Sequence, residues 1–452
     1  MLAFGGPRSR RWRHVGVTVV LFLIALVVLG EEAASSPFEA DEADYVATSR
    51  YFGYLFLQAD PTRPEWDSNH WTRTQPPLTR YLIGAWLTLR GYDLETLNQP
   101  YVSTASSFEV NRRKGRVTTD DVLAAARQPM VVLGAGAIAL LYPLGVLVAG
   151  MGGGIVAVGL ALTSAFLSYT LVHAWAEAPL AFFLLLSALL AAVGAKRVVQ
   201  GGGGAAQAAL LGLAIGLAST TKLTGLIGLP IVAFVSTVAA IRPVGESATP
   251  CRKRLLVGAA IVTTTMLATT IGLNPFLWRG PISGLASMVV QRQQEMADQQ
   301  DQWPEYAVRG IPEKVWQTVV GSTRLGPWGD VPPIAVPLGL GLGALGLLTG
   351  LRRPIADRGD RAAANMLVGW LVVYVAVIIA GLGLSYPRYF LPTCLLFTPF
   401  VGAGGATVVQ VIARRVSELV SRSSSGEARR GATRAAGASD AADRRPAQQL
   451  SP

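Results

Sequence analysis

The sequence predicts an all-α polytopic membrane protein with about ten transmembrane helices and a long first extracytoplasmic loop. Three observations carry this. Hydrophobic residues make up 51% of the 452-residue chain and charged residues only 15%, where a soluble protein carries about 25% charged. The apolar residues fall in long runs. The 39 basic residues outnumber the 28 acidic ones, and they gather between the runs.

A run of roughly 20 apolar residues crosses the hydrocarbon core. Candidates lie near 15–30, 129–149, 153–172, 177–194, 206–221, 223–241, 255–275, 333–351, 366–385 and 389–412. The first has a basic flank and a short apolar core, as a signal peptide does. Glu31-Glu32-Ala33-Ala34-Ser35 is a poor small-residue cleavage site, so an uncleaved anchor is expected. With ten spans, Arg8 to Arg13, Lys196-Arg197, Arg252-Lys253-Arg254, Arg352-Arg353 and Arg414-Arg415 share one side. That side is cytoplasmic by the positive-inside rule, together with both termini. The expected setting is a bacterial plasma membrane. The same topology explains the net charge of +11 without nucleic acid.

Residues 31–128 and 276–332 are then the two large outer loops, within a membrane unit covering 1–413. The first contains Leu78 to Leu89, too short to span and expected as an interfacial or re-entrant helix. The second holds the polar, helix-prone Gln291 to Gln302 and then an aromatic-rich part. The basic tail 414–452 is poor in large apolar groups and is expected to be disordered in the cytoplasm. Two cysteines, Cys251 and Cys394, without a CxxC make a disulfide or zinc–thiolate framework unexpected. Gly201 to Gly204 lacks the Lys-Ser/Thr of a phosphate loop, and no GxGxxG follows a strand. An enzyme of this kind would need its energy carried in an activated substrate.

Five constellations could carry chemistry. Asp41-Glu42-Ala43-Asp44-Tyr45 follows the first span, where a carboxylate could take a proton from a hydroxyl acceptor or could simply be solvated. Gln75-Pro76-Pro77-Leu78 fixes an extended segment and then starts an apolar helix. Glu177, in His173-Ala174-Trp175-Ala176-Glu177, either caps a span or faces the first loop. Lys222, in Thr221-Lys222-Leu223-Thr224-Gly225-Leu226, lies on the outer side against the charge bias. It either pairs with an anion such as a lipid phosphate or snorkels to the interface. Arg388, in Tyr386-Pro387-Arg388-Tyr389-Phe390-Leu391-Pro392, suits a phosphate or pyrophosphate. Its aromatic neighbours also suit an interface belt.

In this order these patches resemble the membrane glycosyltransferases of the GT-C fold, and among them the protein O-mannosyltransferases and the aminoarabinose transferases that modify lipid A. The likeness covers about residues 10–412 in layout and short patches in sequence. It implies transfer of a sugar, with inversion, from a polyprenyl-phosphate carrier to a hydroxyl acceptor on a protein, lipid or cell-wall glycan. Asp41 matches the first-loop aspartate, proposed as the base or acceptor-orienting group, and Glu42 its acidic neighbour. Pro76, Pro77 and Leu78 match a motif that usually begins with histidine in mannosyltransferases, where Gln75 stands here. Lys222 and Arg388 match basic positions near the carrier phosphate, and Glu177 an acidic one. Asp44, Tyr45, Gln75, Pro76, Pro77, Glu177 and Tyr389 are candidates for binding substrate or positioning the loop. No cofactor is certain. Some relatives bind a divalent cation near the acidic pair, so one near Asp41 and Glu42 stays open. His14, His70 and His173 have no zinc-ligand spacing. The rival reading is a transporter or flippase of a lipid-linked or anionic substrate, which predicts inverted repeats and helices broken at mid-membrane.

Overall fold

The computed structural model describes residues 7–68, 70–102, 107–231, 248–351 and 358–442. Among them there is no β-strand, only an isolated antiparallel bridge between Ala307 and Leu384. Helix α1 (Pro7–Ser35) enters the first loop, which folds as five short helices: α2 (Ala40–Thr48), α3 (Glu65–Ser68), α4 (His70–Thr74), α5 (Leu78–Leu89) and α6 (Phe108–Arg113). The bundle continues with α7 (Asp120–Ala149), α8 (Met151–Leu162), α9 (Ala165–Val172), α10 (Glu177–Val199), α11 (Ala205–Thr221) and α12 (Ala248–Gly272). The second loop supplies α13 (Pro281–Gln302) and α14 (Ile311–Ser322). Helices α15 (Pro332–Leu351), α16 (Arg358–Gly381) and α17 (Leu391–Ala442) complete it.

Seven of these helices are long and apolar enough to cross a membrane, and eight if the bent pair α8–α9 counts as one span. Among the described residues the count is thus seven or eight rather than the expected ten. The run 153–172 breaks by 72° because Ser164 opens a new helix, accepting the Leu167 N–H at 3.3 Å and donating to the Arg324 carbonyl at 2.8 Å. Helix α11 has only 17 residues, about 26 Å at 1.5 Å per residue, short of a ~30 Å core. Most of the expected span 223–241 lies outside the described residues. Helix α17 runs through 414–442, where composition predicts a disordered tail. Alanine and arginine are strong helix formers, and a segment poor in apolar residues can still form helix; residues 443–452 lie outside the described ones.

Helix α7 packs on α1, α8 and α10; α10 packs on α11 and α16; α17 packs on α7, α8 and α15. The α15–α17 contact needs glycine. A Cβ on Gly346 would strike the carbonyl of Phe400, and one on Gly404 that of Leu342. Small residues let membrane helices approach this closely. Gly404→Leu is expected to force the pair apart and lower the melting temperature in detergent; a wild-type melting curve would rule out this account of the contact.

Residues 78–89 do form a helix, but α5 is not simply laid on a surface. It buries Leu78, Thr79, Arg80, Tyr81, Ile83, Gly84 and Leu87 and packs on α2 and α7. The first loop is thus a folded cap on one end of the bundle.

Candidate active site

The cap is fixed by Arg127 on α7. All five of its donors are used: Nε and one terminal nitrogen reach Glu42 (2.8 and 2.6 Å), and the remaining bonds reach the carbonyls of Ala33, Ser36 and Pro37 at 2.6–2.9 Å. Glu42 also accepts the N–H of Ala174 at 2.8 Å and of Glu39 at 3.1 Å. It is fully buried, and the Arg127 side chain is 5% exposed. A buried carboxylate persists only when it is paired and hydrogen-bonded, and this one is both. Glu42, expected beside Asp41 in the chemistry, is therefore occupied in holding α1, α2, α7 and the turn before α10 together. Each of its oxygens already accepts two N–H bonds.

Asp41 points the other way. Its side chain is 43% exposed and it forms an ion pair with Arg388. One helical turn on, Tyr45 donates to the side-chain oxygen of Gln75 at 3.0 Å. Arg80, only 1% exposed, donates to the same oxygen at 3.1 Å, to Thr48 Oγ1 at 2.7 Å and to the Gln75 and Pro76 carbonyls. Burial pushes its guanidinium pKa down. These bonds fix the Gln75-Pro76 segment against α2, and Pro77 stands at the start of α5. Asp44 faces inward instead. It is 6% exposed and accepts the Tyr101 N–H at 2.7 Å, which ties α2 to the far part of the cap.

Burial raises the Asp44 carboxyl to about 7, with the neighbouring Asp41 charge adding to it and the Tyr101 hydrogen bond opposing it. A raised folded pKa favours the protonated folded form. Its contribution is complete below the unfolded value near 4 and is lost as pH rises through about 7. Asp44→Asn should therefore melt higher than wild type at pH 8, by up to about 4 kcal/mol, with the gap closing toward pH 4. A gap independent of pH would show that the ionisation of Asp44 does not set it.

A cavity of about 210 Å³ lies where the cap meets the bundle. Tyr45, Gln75, Pro76, Glu177, Lys222, Arg388 and Tyr389 all line it, as do Val377 and Ile378 of α16 and Leu382 just beyond its end. Lys222 reaches it because α11 stops there. Thr221 returns its hydroxyl to the Leu217 carbonyl at 2.8 Å, Lys222 turns extended (φ −154°, ψ 141°), and a tight turn at Leu223–Ile227 folds back. A Cβ on Gly225 would meet the backbone of Ala218 and Ser219. Gly225→Ala is thus expected to displace Lys222 and weaken ligand binding more than stability, measured by comparing affinity with melting temperature; equal losses in both would count against this role.

Each cation at the cavity has a carboxylate. Lys222 binds Glu177 at 2.6 Å, Arg388 binds Asp41, and Arg292 from α13 binds Glu295 at 2.5 Å and Tyr389 Oη at 3.3 Å. Lys222 also lies 5.4 Å from the Tyr389 ring, and Arg388 5.2 Å from the Trp175 ring. His70 on α4 stands 3.5 Å from Glu295. Burial pushes the Glu295 carboxyl up, but the bonds from His70 and Arg292 outweigh it and hold it below its ordinary value.

The fold as a whole is similar to that of solved structures. ArnT from Cupriavidus metallidurans bound to undecaprenyl phosphate superposes with a TM-score of 0.51 at 15% identity, over 91% of this chain and 64% of ArnT. The Archaeoglobus fulgidus oligosaccharyltransferase complexed with Zn and sulfate gives 0.51 at 15% identity, over 88% of this chain and 50% of that one. The chain has the GT-C fold. It spans less than two thirds of the length of either protein. No family model matches it, and no curated protein does.

Within this GT-C fold, the structure brings together Asp41, Tyr45, Gln75, Pro76, Glu177, Lys222, Arg388 and Tyr389 from five stretches of sequence. It sets Glu42 and Asp44 apart, each with its own partners. The sequence reading missed Arg80, Arg127, Arg292 and Glu295. Arg80 and Arg127 were detectable as single charges inside or beside apolar runs. Arg292 and Glu295 had no such signal, since α13 reads as an ordinary polar helix.

Proposed function

We propose that the protein is a membrane glycosyltransferase. It moves a sugar from a polyprenyl-phosphate carrier to a hydroxyl acceptor at the extracytoplasmic face of a bacterial plasma membrane, with both termini cytoplasmic. The observation that carries this reading is a cavity lined both by Lys222 and Arg388 and by apolar side chains at the end of α16. That pairing suits a ligand with an anionic head and a hydrocarbon tail. The GT-C fold supports the class.

In the proposed reaction the acceptor oxygen forms a bond to the anomeric carbon from the face opposite the phosphate. The bond from that carbon to the phosphate oxygen breaks, and the configuration inverts. The acceptor proton passes to Asp41. The carrier phosphate leaves with the bonding electron pair, and Lys222 and Arg388 stabilise the charge it gains. The membrane holds the carrier and supplies proximity. Tyr45, Gln75 and Tyr389 shape the space between head group and acceptor, and Glu177 fixes Lys222. Glu42 acts through position alone.

Transfer from radiolabelled polyprenyl-phosphate sugars in membranes, with wild type beside Asp41→Asn, tests this. Label moved by wild type alone supports the reading and identifies the sugar. Folded wild type that moves label from no carrier would overturn it.

A further inference from the structure

Of the three cation–carboxylate pairs at the cavity, Lys222–Glu177 and Arg388–Asp41 differ in one respect that decides which of the two can open. Glu177 is 4% exposed in its side chain, whereas Asp41 is 43% exposed. Separating a buried carboxylate from its ion-pair partner leaves a desolvated charge and is strongly unfavourable. Separating an exposed one costs little, because water replaces the cation. Lys222 has three donor hydrogens, one directed at Glu177, so it can bind an incoming anion without leaving its partner. Arg388 is flanked by the rings of Trp175, Tyr386 and Tyr389 at 5.2–5.9 Å, which hold the guanidinium in place while Asp41 moves.

We infer that an anionic head group entering the cavity displaces Asp41 from Arg388, while Lys222 stays paired with Glu177. The inference rests on the proposed transferase reading and adds an order to it. Before the head group arrives, the carboxylate that would serve as base is held by Arg388. Carrier phosphate takes Arg388 and releases Asp41 toward the acceptor. The base is thus made available by the donor itself, and an acceptor arriving alone meets a carboxylate that is already engaged.

The inference makes Asp41 a competitor of the phosphate, so removing its charge tightens binding. Binding of a sugar-free polyprenyl monophosphate in detergent micelles is to be measured by tryptophan fluorescence for wild type, Asp41→Asn, Arg388→Gln and the double variant. Asp41→Asn should bind two- to fivefold more tightly than wild type, the range expected for an exposed ion pair. That gain should vanish in the Arg388→Gln background, which a general effect of lost negative charge would not reproduce. Equal or weaker binding by Asp41→Asn, or the same gain without Arg388, overturns the exchange and leaves the transferase reading in place. No binding of the probe by folded wild type overturns both.

Discussion

Glu42→Ala is expected to destabilise the folded protein by about 3–5 kcal/mol, the cost of leaving a buried charge without its partner. The orphan would be Arg127, 5% exposed in its side chain, with two of its five donors suddenly unmatched. The loss should be larger than for any cavity carboxylate, because Glu42 alone joins α2, α7 and the turn before α10. Denaturant or thermal unfolding in detergent checks this. The double variant Glu42→Leu/Arg127→Leu should recover part of the loss, since apolar replacement of a whole buried pair is often tolerated. A single variant within 1 kcal/mol of wild type would mean that the network contributes little.

Asp41→Asn should behave in the opposite way. Its pair with Arg388 is partly exposed, so melting should shift little. The rate of transfer should fall by about 10²–10⁴, the usual contribution of a positioned general base. The fall should appear in kcat, with no rise in KM for the carrier. A variant that keeps a tenth of the wild-type rate would remove Asp41 from the proton transfer. Together the adjacent residues make a sharp contrast, one expected to lose stability and the other turnover.

That contrast was not legible in the sequence. Asp41 and Glu42 look alike there, and what separates them is Arg127, 85 residues away. The cavity itself was largely legible. Lys222, Arg388 and Glu177 stand at the ends of apolar runs, where a charge is costly without a use, and position alone gathers them. Gln75-Pro76 was readable because two prolines fix the chain direction. Arg292 was not, because a cation on a polar helix gives no signal until the packing of α13 over the cap is known. The helix class was plain from composition, but the span count was not. Side-chain hydrogen bonds at Ser164 and Thr221 break helices that hydropathy alone would continue.

The Arg127–Glu42–Ala174 junction also sets a timetable for biosynthesis. Ala174 follows Glu42 by 132 residues, and ribosomes add about 5–20 residues per second. The first loop therefore waits on the order of ten seconds after its synthesis before Ala174 arrives. During that interval α2 has no complete set of partners. The proposed base meets its own partner later still, because Arg388 follows Asp41 by 347 residues, so a newly made chain is inert toward its substrates until most of it has been inserted.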